Sequence, residues 1–65
     1  MKVYKVLQYD RGYRHEELLE ICSTWEVAKD YCEFNEGVQD LNEKNKFNFD
    51  DGFYEIEEYE VLEFV

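Results

Sequence analysis

The chain has 65 residues, with seventeen acids against seven bases and a formal net charge of -10. A chain this short makes one domain, residues 1–65, and buries only about 60% of the surface that its unfolded form exposes. The charge argues against nucleic-acid binding, which needs clustered Lys and Arg to neutralise phosphates, and against anionic membrane surfaces.

Six Tyr, five Phe and one Trp, with no proline, supply an aromatic core. The mean hydropathy of -0.73 therefore reflects Glu and Asp on alternating positions rather than missing apolar residues. No apolar run approaches the roughly 18 residues of a membrane span, and the start MKVYKVLQYD lacks the apolar stretch of a signal peptide. A cytosolic protein is expected.

In KVYKVLQY, Val3 and Leu7 fall on one alternating face and Tyr4 and Val6 on the other, the pattern of a central strand. Asp10–Tyr13 carries the Asp and Gly of a turn, and EELLEICS follows as a second strand, so these segments predict a hairpin. STWE, Ser23 to Glu26, matches the capping box, in which the Ser hydroxyl accepts from the backbone N–H three residues on. From there, Trp25, Val27, Ala28, Tyr31, Cys32 and Phe34 occupy one half of a helix that Gly37 ends.

Residues 38–52, VQDLNEKNKFNFDDG, show no clear period and read as a loop with room for one helical turn around Asp40–Lys44. The last segment, FYEIEEYEVLEFV, reads as a strand whose apolar phase changes from Tyr54 and Ile56 to Tyr59 and Val61. The adjacent acids Glu57 and Glu58 mark the change, as one extra residue in a bulge would.

These elements predict an α+β fold of ββαβ order: a three-stranded antiparallel sheet, strand order 2-1-3, with one helix on one face. The other face is expected to carry part of Tyr4, Val6, Leu18 and the aromatic residues of the last strand. That face is too apolar to be left in water and predicts a homodimer.

The pattern resembles a family of small uncharacterised bacterial and phage ββαβ domains. The matching residues are Val3 to Gln8 in the opening strand, Ser23 with Ala28 at the helix start, and Tyr54, Ile56, Tyr59 and Val61 in the closing strand. The resemblance brings no catalytic residues with it. In style the chain is also similar to the small acidic proteins with which phages block host defence systems.

Little supports catalysis or a cofactor. His15 is the only histidine and has no Cys at a recognised spacing. Cys22 and Cys32 read as small hydrophobes with free thiols, the helix carrying Cys32 away from the strand end that holds Cys22. With Gly52 in the sixth place of a calcium loop, Phe47 and Phe49 fall where ligands belong, so no metal is expected.

The acids of the final strand remain. Alternate residues of a strand sit about 6.7 Å apart on one face, so Glu55 and Glu57 form a row that Glu58 and Glu60 continue across the expected bulge. These four residues are the candidate partner-binding set, offered to a basic protein. The bland alternative is that they keep an edge strand soluble and unpaired. The function expected is a non-enzymatic interaction protein, a phage-type inhibitor that occludes a basic surface of a host protein. Its rival is an accessory subunit docking through its apolar face, with a small enzyme around His15 and Cys22 third.

Overall fold

A computed structural model of the chain describes residues 1–10, 12 and 16–62. Its elements are β1 (Lys2–Asp10), β2 (Glu16–Cys22), α1 (Trp25–Phe34), β3 (Val38–Gln39), β4 (Lys46–Phe49) and β5 (Gly52–Glu60). The strands form one five-stranded sheet in the order β2-β1-β5-β4-β3, and every neighbouring pair is antiparallel. This corrects the expected three-stranded sheet of order 2-1-3: the stretch read as a loop supplies two strands.

The cause lies in KFNFDDGF. Phe47 and Phe49 point to the helix side and Lys46 and Asn48 to the other, an alternation too short to register beside the polar run before it. Asp50 and Asp51 make a two-residue connection, because Phe49 already pairs with Gly52. Gly52 cannot carry a side chain here: a Cβ would run into the Tyr9 carbonyl oxygen of the neighbouring strand. The expected helical turn at Asp40–Lys44 is instead a turn held by the Asp40 carboxylate, which accepts from the Asn42 and Glu43 N–H groups at 2.9 and 3.1 Å.

No bulge interrupts β5. Its register against β1 runs unbroken from Lys2 opposite Glu60 to Asp10 opposite Gly52. The irregularity is in β2, where Val6 faces Glu20 but Leu7 faces Leu18, leaving Leu19 as the extra residue. The phase change in the sequence of β5 has another origin. Tyr54 and Ile56 are buried on the helix side, whereas Tyr59 lies on the opposite face, so two different faces of one regular strand carry apolar residues.

Helix α1 starts one residue later than the capping box implied. Thr24 is the N-cap, its Oγ1 accepting from Val27 N–H at 3.1 Å, and Val27 rather than an acid occupies the third helical position. At the other end Glu36, not Gly37, takes the left-handed conformation (φ 66°). Gly37 N–H donates to Cys32 O at 2.8 Å and Glu36 N–H to Glu33 O at 3.0 Å, the double bond pattern of a Schellman end. Gly37 is required for closeness: a Cβ there would sit 2.8 Å from Cys32 O, 2.9 Å from Phe47 Cβ and 3.0 Å from Tyr54 Cδ2.

The core lies between the helix and one face of the sheet: Val6, Cys22, Ala28, Cys32, Phe47, Tyr54 and Ile56, with Tyr4, Leu19, Trp25, Tyr31 and Phe49 packed against it. Tyr4 and Val6, expected partly on the far face, are therefore under the helix. The ten residues of α1 rise about 15 Å, against about 30 Å for the nine residues of β1 or β5. The helix thus covers part of one side. Only Ala28 and Cys32 of its apolar half are buried, while Val27 and Phe34 stay exposed. No helix among the described residues is long and apolar enough to cross a membrane.

Candidate functional site

Strand alternation sends Val3, Lys5, Leu7 and Tyr9 of β1 away from the helix, and the register places Tyr59, Glu57, Glu55 and Phe53 of β5 opposite them in that order. On the β2 side Ile21 lies opposite Lys5 and Leu18 opposite Leu7. No element covers this face among the described residues. Ile21 is 52% and Leu18 49% exposed, while Leu7 at its centre is only 5% exposed, closed over by its neighbours alone. Tyr9 stacks on Phe53 with centroids 5.0 Å apart. Two lysines lie over the aromatic rings: Lys5 Nζ is 3.9 Å from the Tyr59 centroid and Lys46 Nζ 4.6 Å from that of Phe53.

The four candidate glutamates do not form one row. Because β5 has no bulge, Glu55 and Glu57 lie on this open face, and Glu58 and Glu60 lie on the helix side. Burial and the neighbouring Glu57, Glu43 and Glu16 push the Glu55 carboxyl above its ordinary value, with Lys46 opposing. Burial and the charges of Glu16, Glu55 and Glu57 likewise raise the Tyr9 phenol. Glu16, Glu55 and Glu57 thus act on Tyr9, while Lys46 opposes the acids at Glu55. On the helix side, Glu58 accepts from Tyr4 Oη at 3.2 Å and lies 3.6 Å from Lys2 Nζ, and Glu60 is 3.4 Å from the N-terminal amine.

Nor is β5 a plain edge strand. It lies between β1 and β4, but β4 pairs only with residues 52–55, so its outer side is lined by a strand over half its length. Beside the unlined half, a cavity of about 200 Å³ opens between Tyr4, Trp25, Lys44, Asn45, Ile56 and Glu58. Trp25 Nε1 donates to Asn45 Oδ1 at 2.7 Å, and Lys44 Nζ stands 4.8 Å from the Trp25 ring centroid. Of these cavity residues the sequence singles out Glu58 alone as a site candidate. The signal available was the pairing of Trp25 with a Lys-Asn turn twenty positions away, which no local period reveals.

A second, open groove of about 500 Å³ lies between the end of α1 and the β4–β5 turn, with Asn35, Glu36, Asn48, Asp50 and Asp51 on its walls. Its acids are exposed, and among the described residues no three His, Cys, Asp or Glu side chains are grouped to hold a metal ion. Cys22 and Cys32 are both free and both buried in the same core cluster. The helix does not carry Cys32 away from Cys22, as expected, but brings both thiols under one sheet. Burial, with a contribution from Cys22, pushes the Cys32 thiol up to about 12, which keeps it protonated and unreactive at neutral pH. His15 lies outside the described residues.

What the geometry offers is surface: an uncovered aromatic sheet face and a short acidic strand edge with a cavity beside it. Compared with protein-family models, curated proteins and solved structures, the chain has no match.

Proposed function

We propose that this chain is a non-enzymatic interaction protein that works as a homodimer and occludes a basic surface of a target protein, in the manner of the small acidic inhibitors that phages direct at host defences. The observation that carries the reading is the uncovered sheet face, where Leu18 and Ile21 stay half-exposed beside the stacked Tyr9 and Phe53. An apolar patch of this kind on a small protein marks an interface.

Charge distributes the roles. The open face holds Lys5 and Lys46 against Glu16, Glu55 and Glu57, with Glu43 acting on Glu55 from beside it, a net of -2 out of the chain's -10. Two copies therefore approach with least repulsion through this face, and closed two-fold pairing is the commonest arrangement. The remaining acids, Glu58 and Glu60 among them, then point outward toward a basic target. Long-range attraction of this type acts chiefly on the rate of association.

The test compares two charge reversals, Glu55→Lys with Glu57→Lys and Glu58→Lys with Glu60→Lys, in titrations against the target captured from a bacterial lysate, at low salt and at 1 M salt. The reading expects about twice 8.0 kDa by light scattering for the wild type. It expects the second reversal to weaken target binding, and high salt, where the Debye length falls to about 3 Å, to mimic it. A monomer at micromolar concentration refutes the dimer. Binding indifferent both to salt and to the Glu58/Glu60 reversal refutes the basic target and favours the rival reading, an accessory subunit seated on a larger assembly through Leu18 and Ile21.

A further inference from the structure

In an antiparallel strand, successive backbone N–H and C=O groups point to opposite neighbours. Val61 N–H donates to Met1 O at 2.7 Å, so the odd residues of β5 bond toward β1. Ile56 N–H donates to Asn45 O at 2.8 Å, so the even residues bond toward the lane of β4. That lane is occupied only as far as Asn45. The chain before it turns away, Lys46 N–H being taken by Glu43 O at 3.2 Å. Glu58 and Glu60 consequently present their backbone donors and acceptors to a lane that holds no strand among the described residues.

The cavity between Tyr4, Trp25, Ile56 and Glu58 opens on this same lane. A strand laid there would share faces with β5, so its residue opposite Glu58 would direct its side chain to the helix side, beside the Glu58 carboxylate and into the cavity. The next such residue lies about 6.7 Å further on, at Glu60. Peptide recognition by strand addition works in this way: main-chain bonds hold the peptide and pockets for alternate side chains select it.

Two observations choose the occupant. A second copy pairing antiparallel edge to edge would set Glu58 of each copy against Glu58 or Glu60 of the other, and like charges facing across strands are destabilising. A basic segment instead meets opposite charge at Glu58 and Glu60, exchanging there with the exposed ion pairs that Lys2 and the N-terminal amine make. The aromatic wall of the cavity already carries a cation of the chain itself, Lys44 over the Trp25 ring, so an added Lys or Arg takes the Glu58 side of the cavity or exchanges with Lys44 there. We infer that the open edge of β5 at Glu58 and Glu60 captures an extended basic segment of the target as an added strand, with one Lys or Arg side chain in the cavity between Tyr4, Trp25 and Glu58. The inference rests on the basic-target reading above and specifies how contact is made.

The probe is a capped nonapeptide alternating lysine with threonine, titrated into the protein, with amide exchange followed at Glu58 and Glu60. Binding with slowed exchange at both amides is expected. Two N-methylated versions carry the same charge. Methylation at the lysines, whose N–H groups would bond to β5, should abolish binding, whereas methylation at the threonines, whose N–H groups point away, should leave most of it. Glu58→Gln should weaken the peptide by about tenfold, as loss of a charge-assisted bond does, with its melting temperature unchanged.

The inference is overturned if the alternating peptide does not bind, if the two methylated versions bind alike, or if exchange slows at Glu55 and Glu57 instead. Each of these leaves the basic-target reading standing, because that reading fails on a different result: a captured target indifferent to salt and to charge reversal.

Discussion

Replacing Gly37 by alanine separates two reasons for a glycine after a helix. If the position needed a left-handed backbone, asparagine would be tolerated better than alanine. The structure gives the other reason, since a Cβ would lie within 3.0 Å of Cys32 O, Phe47 Cβ and Tyr54 Cδ2. Two of those three atoms are a backbone oxygen and a Cβ, which cannot swing aside, so the sheet and the helix end must part. Overpacking of this kind costs about 1–3 kcal/mol, out of the roughly 3–10 kcal/mol that a chain of this length can have. At about 4–8 °C per kcal/mol, Gly37→Ala should lower the melting temperature by about 10 °C, and Gly37→Asn by more. Glu36→Gly should do the opposite, because Glu36 holds the left-handed φ of 66°. Relief of about 1–2 kcal/mol of strain less about 0.5–1 kcal/mol of added chain entropy leaves a net gain of about 0–1.5 kcal/mol. Urea unfolding followed by far-UV circular dichroism measures all three variants. If Gly37→Asn proves milder than Gly37→Ala, the close-approach reasoning is wrong.

Phe47 is fully buried, so Phe47→Ala should cost about 3–5 kcal/mol and leave the chain largely unfolded by circular dichroism; a folded variant would show that β4 is not part of the core. A thiol reagent at pH 8 should find two thiols in the denatured, unreduced chain and almost none in the native one, where both cysteines are buried and Cys32 is pushed up to about 12; rapid native labelling would place them elsewhere. Glu55 is raised by burial and by Glu57, Glu43 and Glu16, so the native chain holds that proton more tightly than the unfolded one, and the ionised group opposes folding at pH 7. Glu55→Gln should therefore raise stability at pH 7, with the gain shrinking as the pH falls through the folded value toward the ordinary 4.5. Asp40 has the opposite sign: bonds from Asn42 N–H, the Asn48 amide and Glu43 N–H lower its carboxyl, so its contribution is present above the ordinary 3.8 and lost as the pH falls through the folded value. Urea midpoints of Glu55→Gln and Asp40→Ala, compared with wild type across pH 3–7, would show the two trends diverging, and parallel curves would refute both assignments.

Elements whose signal is local are legible in the chain alone. The alternation of Lys2–Tyr9, the paired Leu and Ile of β2, and the apolar stripe from Trp25 to Cys32 each lie within one strand or helix and follow from its period. Ser23 and Thr24 both suit a helix cap by residue type, and it is Thr24 whose side chain takes the Val27 N–H. The β3 and β4 strands were illegible for a different reason. Val38–Gln39 has two residues and Lys46–Phe49 has four, too few to show a period, and their stability comes from Phe47 and Phe49 packing on Tyr54 and the helix rather than from local propensity.

The candidate acids show the same division. That Glu55, Glu57, Glu58 and Glu60 are charged and closely spaced is in the sequence; which face each takes depends on register, and one residue of bulge moves every later side chain to the other side of the sheet. The bulge belongs to β2, so Glu55 and Glu57 join Tyr9 and Phe53 on the open face while Glu58 and Glu60 stand at an unlined edge beside Trp25. Register is set by pairing between strands some fifty residues apart in the chain, β1 against β5, and by where β4 stops. Those are contacts between distant segments, which no local pattern of residues encodes.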